Sequence, residues 1–172
     1  MVVKQILTEP NKFLRQISKP VEKVGDEERK LMDDMLDTMY AAPGIGLAAI
    51  QIGIPKRIIV MDISRDENKK EPLYFVNPVI KNKNENKSRY EEGCLSVPDQ
   101  FAEIERPKTC EVEYLDYYGK KQILKAEGLL ATCIQHEIDH LEGILFIDYL
   151  SKLKKSMIIK KLSKFKSKRI IV

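Results

Sequence analysis

Gln135-His136-Glu137-Ile138-Asp139-His140-Leu141-Glu142-Gly143 is the stretch that organises this chain. Its centre spells His-Glu-x-x-His. Residues four apart share one face of an α-helix, so both imidazoles can reach a single metal ion. Glu137 lies one step round, close enough to handle protons on a water held by that ion. His136 and His140 are the only two histidines in the 172 residues. The pattern predicts a helix over 127–141 that carries a metal site.

A catalytic metal site takes about three protein ligands and keeps one position open. The acids downstream are Glu142, too close on the same helix, and Asp148, which would need an unusually tight return. The third ligand is therefore sought upstream, and cysteine is the natural candidate. Cys133 lies seven residues before His140, roughly 10.5 Å along a helix, too far to share one ion with it. Cys110 alternates with Val112 and Tyr114 on the inward side of a strand and reads as core. Cys94 follows a glycine in Glu92-Gly93-Cys94-Leu95-Ser96, the one cysteine segment that looks built for a site.

The length fits one domain over 1–172 with a full hydrophobic core. Apolar residues at 43% and charged residues at 33% argue against a disordered chain, and no apolar run approaches the roughly eighteen residues of a membrane span. The first ten residues lack signal-peptide character, and an odd count of three cysteines speaks against a disulfide framework. Cytoplasm is the expected compartment. The net charge of +4 is uneven, because 151–172 holds nine lysines and arginines and no acid. That basic tail fits a solvated face or a contact with an anionic partner.

Along the chain, 26–40 reads as a helix with an acidic first turn and an apolar stripe of Leu31, Met32, Met35, Leu36 and Met39. Gly44 to Gln51 lacks the third glycine of a dinucleotide fingerprint and the Gly-Lys of a P-loop, so its small residues suggest close backbone approach instead. Gln51, polar among apolar neighbours, needs a partner or a function. Segments 57–63 and 73–80 read as buried strands, 81–89 as a polar loop, and 109–115 with 121–126 as a hairpin. A C-terminal amphipathic helix is expected to turn Leu150, Leu153, Met157, Ile158, Leu162 and Phe165 towards the body. The fold class is α+β: mostly antiparallel sheets around a central metal-binding helix, with helices at both ends.

Three segments together, Gly44 to Gln51, Glu92 to Ser96 and His136 to His140, closely resemble the motif set of bacterial peptide deformylases, complete and in order. Similarity extends through Leu14-Arg15, Lys19-Pro20-Val21, Arg106 and Gly128 to Ala131. The resemblance implies removal of the formyl group from the amino-terminal formylmethionine of new proteins. It implies one divalent ion per chain on Cys94, His136 and His140, ferrous iron with zinc, nickel or cobalt as substitutes. Glu137 would carry the proton, and the Gln51 amide and Leu95 N–H would stabilise the oxyanion. Ile45 and Gly46 would pair with the peptide backbone, alongside Glu92 and Gly93. Ile45, Tyr90, Leu129, Thr132 and Cys133 would line the methionine pocket.

Three positions depart from the family pattern. Phe101 stands where many relatives carry an arginine that holds the peptide, and Tyr90 and Thr132 replace commonly aliphatic residues. The implied partners are N-formylmethionyl nascent peptides, with a ribosome contact through the basic tail of 151–172, no membrane, and a monomeric chain. Two other readings compete. A metalloprotease would lack its downstream ligand, and a structural zinc module binding nucleic acid would need Cys110 or Cys133 as fourth ligand.

Overall fold

Strand β2 (Ile58–Met61) is buried at every position, and the reason is its place between two helices. Ile58 and Val60 pack with Met32, Met35 and Met39 of α1 (Asp26–Ala41), whereas Ile59 and Met61 pack with Ala131, Cys133 and Ile134 of α2 (Gly128–Leu141). Alternate side chains of a strand face opposite ways, so an unbroken apolar run suits a strand covered on both faces. The computed structural model describes residues 2–64 and 66–170, with side chains of the last helix described through residue 164.

The order is α1, β1 (Gly46–Ala48), β2, β3 (Leu73–Lys83), β4 (Lys87–Cys94), β5 (Val97–Pro107), β6 (Thr109–Leu115), β7 (Lys121–Glu127), α2 and α3 (Lys152–Ile170). A five-stranded sheet runs β1-β2-β3-β6-β7, and β4 pairs with β5 in a separate two-stranded sheet. Every pairing between these strands is antiparallel. The α+β architecture with a central helix is thus the one the sequence predicts.

Local chemistry sets the boundaries. Gly25 N–H donates to Glu28 Oε2 at 3.0 Å, and Asp26, Glu27 and Glu28 place negative charge at the positive end of α1. Helix α2 stops at Gly143, whose φ of +71° and N–H bond to His140 O form a left-handed C-terminal cap. Between β4 and β5 the register jumps: Gly93 pairs with Phe101, but Cys94 pairs with Val97. The residues Pro98, Asp99 and Gln100 bulge out there, and Asp99 adopts a positive φ of 60°. Such bulges re-aim a side chain beside a site. This one turns the strand at Cys94.

Two expectations need correction. The polar loop read at 81–89 shrinks to 84–86, because β3 continues to Lys83 and β4 begins at Lys87. Its lysines and asparagines point to solvent from paired strands, so polarity there reports exposure rather than a loop. In the last helix Ile158 and Leu162 are buried against Val97, Ile104, Leu145 and Phe146, but Leu153 and Met157 are 72% and 51% exposed. At about 100° per residue, Leu153 and Met157 form one stripe and Ile158 and Leu162 another, and the second faces the body. Leu150 packs on the same cluster from just before the helix; the side chain of Phe165 lies outside the described residues.

A Cβ on Gly143 would sit 2.8 Å from the backbone carbonyl carbon of Arg15. Gly143→Ala combines that clash with the left-handed penalty of about 1–2 kcal/mol per residue, so its melting temperature is expected to fall by about 4 °C or more. Thermal unfolding followed by circular dichroism checks this, and an unchanged midpoint would refute the tight helix end.

Candidate metal centre and active site

Helix α2 is buried over most of its length, which is why both histidines face protein. The ligand atoms of Cys94, His136 and His140 lie within 4.8 Å of one another. Cys94 Sγ stands 3.3 Å from His140 Nε2, and the two imidazole centroids are 5.1 Å apart. Two helix residues one turn apart and one strand-end cysteine thus converge on one point. His136 Nδ1 lies 2.9 Å from Glu92 Oε1, which leaves its Nε2 for the interior of the cluster. Arg106 in turn grips Glu92 through Nε at 2.7 Å and Nη2 at 3.0 Å.

The electrostatics favour positive charge here. Burial pulls the His136 pKa down, but hydrogen bonds to Cys94 and Glu92 outweigh it and hold the pKa well above the ordinary value. His140 shifts the other way, well below its ordinary value, through burial and the neighbouring His136. Burial raises the Glu92 carboxyl, yet bonds from His136 and Arg106 overcome that and hold it low. One thiol sulfur and two imidazole nitrogens, with an anionic partner behind one imidazole, fit a divalent transition-metal ion.

Burial lifts the Glu137 carboxyl to about 7, the range in which a carboxylate can take and return a proton near neutrality. Its Oε2 is buried without a hydrogen-bond partner. A Cβ on Gly46 would lie 2.5 Å from Glu137 Oε1, so β1 passes the carboxylate only because Gly46 has no side chain. Gln51 is fixed from both ends: Oε1 accepts from Ala48 N–H at 2.9 Å, and Nε2 donates to Ser96 Oγ at 3.0 Å. The same Nε2 lies 3.6 Å from Cys94 Sγ. The amide N–H therefore points into the site.

A cavity of about 560 Å³ opens beside the cluster. Ile45, Gly46, Gln51, Tyr90, Glu92, Gly93, Cys94, Leu95, Leu129, Thr132, Cys133, His136 and Glu137 all line it. His140, 1% exposed, sits behind the wall. Cys133 is buried with its thiol pKa raised well above the ordinary value, chiefly by burial, and Cys110 is buried in the core. Glu92 lines the cavity, but its carboxylate is engaged by His136 and Arg106. The Phe101 ring lies across Gly93 at the rim, 66% exposed, where a Cβ on Gly93 would come within 2.7 Å of it.

Sequence reasoning gave no role to Ser96, Arg106 or Asp139. Ser96 was signalled by the need of a buried glutamine for a partner, and Asp139 by a charge between two histidines. Arg106 has no local signal, since its partners are 14 and 33 residues away.

Cys94→Ala is expected to lose the ion in a metal titration, whereas Cys133→Ala should retain it and lose stability through a small cavity. The reverse pattern would mean the wrong cysteine has been assigned.

Comparisons with known proteins identify the family. The family model described as polypeptide deformylase matches residues 3–156. The chain is 88% identical over 172 residues, all of both chains, to peptide deformylase of Pelagibacter ubique (strain HTCC1062). It is 57% identical over 164 residues to that of Rhizobium meliloti (strain 1021), covering 95% of this chain and 94% of the relative. The crystal structure of peptide deformylase from Ehrlichia chaffeensis superposes with a TM-score of 0.90 at 45% identity, covering 95% of this chain and 97% of the other. With its metal-ligand cluster, buried carboxylate and adjoining cavity, this chain belongs to the peptide deformylase family.

Proposed function

We propose that this chain hydrolyses the amide between a formyl group and the amino-terminal methionine of new polypeptides, releasing formate, with Cys94, His136 and His140 as ligands of one divalent ion. One observation carries the assignment of roles: Gln51, Cys94 and Glu137 all line one cavity, with the Gln51 amide nitrogen 3.6 Å from the Cys94 sulfur. Cys94, His136 and His140 would hold the ion, which when bound would supply Lewis acidity, lowering the pKa of water enough for it to act near neutral pH. Ferrous iron is the ion proposed, with zinc, nickel or cobalt as substitutes.

The protein residues do the rest. Glu137, with its pKa near 7, accepts the proton of the attacking water and passes it to the departing amine. Gln51 Nε2 and the Leu95 N–H donate to the oxyanion, and losing one such donor costs about 100–1000-fold in rate. β1 is an edge strand, and the backbone of Ile45 and Gly46 offers the peptide a partner to extend the sheet. Ile45, Tyr90, Leu129, Thr132 and Cys133 receive the methionine side chain, and Gly93 leaves room for the chain beyond it. Phe101 gives that rim an apolar ring in place of the cation many relatives carry.

Release of formate from a formyl-Met dipeptide by anaerobically prepared, iron-loaded protein tests the assignment. Glu137→Ala should keep its ion and lose at least about 100-fold in turnover, as general acid–base catalysis is typically worth. Stoichiometric metal with near-normal turnover would remove Glu137 from its role.

No helix among the described residues is long and apolar enough to cross a membrane. Free thiols at Cys94, Cys110 and Cys133 support a reducing compartment, and we place the chain in the cytoplasm as a monomer. We also propose that α3 docks on the ribosome, where substrate emerges. Lys152, Lys154, Lys160 and Lys161 are exposed there, beside the exposed Leu153 and Met157. Phosphate contacts release counterions, so binding should weaken steeply with salt. Replacing Lys152, Lys154, Lys160 and Lys161 by glutamate should abolish co-sedimentation with ribosomes at low salt and spare dipeptide hydrolysis. Equal pelleting of that variant would leave the tail a solvated surface.

A further inference from the structure

We propose that Asp139 and Tyr149 are positioning residues for the metal centre, acting on His136 through Arg106 and Glu92. The inference rests on the reading above in taking Cys94, His136 and His140 as the ligand set. Beyond the contacts already described, Arg106 Nη1 reaches Asp139 Oδ2 at 2.8 Å, and the Tyr149 hydroxyl donates to that same oxygen at 2.7 Å. The Tyr149 ring also lies beside the guanidinium, its centroid 4.9 Å from Arg106 Cζ. Side-chain exposure is 9%, 5% and 4% for His136, Glu92 and Arg106, and 19% for Asp139. Tyr149 is 51% exposed. An unbroken hydrogen-bonded chain thus runs from a buried ligand to the surface.

Each link constrains the one inside it. Arg106 places Nε and Nη2 on Glu92 and Nη1 on Asp139, so its planar fork is held at both ends. Without Asp139, Nη1 would be buried with no acceptor and the fork could turn off Glu92. Glu92 would then be free to swing, and His136 would lose the bond that fixes its tautomer and ring plane. Two carboxylates against one guanidinium also leave net negative charge behind His136, which favours a cation in front of it. Tyr149 does not line the cavity, and its half-exposed hydroxyl could be satisfied by water. Its bond to Asp139 is therefore informative. It braces the carboxylate that braces Arg106.

The test uses the full-length protein loaded with cobalt(II), read by visible ligand-field absorption and by chelator competition. Glu92→Gln should weaken metal binding by about 10–100-fold, the usual effect of losing a partner behind a ligand. Asp139→Asn and Tyr149→Phe, one and two links further out, should weaken it by successively smaller factors, down to roughly two-fold, and shift the cobalt bands the same way. Tyr149→Phe keeps the ring beside Arg106 and removes the hydroxyl, so it isolates the hydrogen bond and tolerates folding even if Asp139→Asn does not. Lys155→Gln removes a 2.6 Å ion pair with Asp148 in the same turn and serves as the structural control. It should lower the melting temperature and leave the cobalt spectrum and affinity unchanged. Unchanged spectrum and affinity in Tyr149→Phe and Asp139→Asn would overturn the proposal. So would a change confined to melting temperature, as in the control. If Cys94→Ala also binds cobalt normally, the ligand set itself is wrong, and the underlying reading fails with it.

Discussion

Arg106 holds together two parts of the fold that share no strand pairing. The β4–β5 sheet delivers Cys94, whereas α2 delivers His136 and His140, and the two sheets are separate. Arg106 stands on β5, grips Glu92 across the β4–β5 pair and reaches Asp139 on α2. Burying these charges is costly, and the attraction offsets the cost because each of the three guanidinium nitrogens has a carboxylate partner. Removing one member would leave an unpaired buried charge, which typically costs about 3–5 kcal/mol. The geometry of the cluster is thus inherited from an ion pair that is itself no part of the ligand set.

The same logic explains how much was legible in the sequence. His136 and His140 could be read because four-residue spacing has one meaning on a helix, and β2 because an unbroken apolar run suits a strand covered on both faces. Cys94 could be separated from Cys110 by strand alternation and from Cys133 by the length of helix between Cys133 and His140. Strands β4 and β5 were not legible. Lys87-Ser-Arg-Tyr-Glu-Glu carries almost no apolar alternation, because the buried apolar contacts of the pair come mostly from Val97, Ala102 and Ile104 of β5, while β4 is held by cross-strand bonds and by Arg106. In α3 the apolar residues were seen but their direction was not. Two stripes about 100° apart are both compatible with an amphipathic helix, and packing on Val97 and Phe146 chose one.

Gln51 shows how a fold can aim a group that titration does not control. An amide has two ends of similar shape and opposite polarity, and the Ala48 N–H can donate only to the oxygen end. The nitrogen end is thereby forced towards Ser96 and Cys94. Glu137 is governed differently, by burial against Gly46 at a strand edge. One group is oriented by bonds and the other tuned by dry surroundings.

The unpaired edge of β1 has a consequence for breadth of recognition. Main-chain N–H and C=O groups are the same in every residue, so a chain held along that edge is gripped without reference to its sequence. Any discrimination would then fall on the side chains that line the cavity of about 560 Å³. A hydrolase built on such a pairing would owe its grip to groups that every client shares rather than to their side chains.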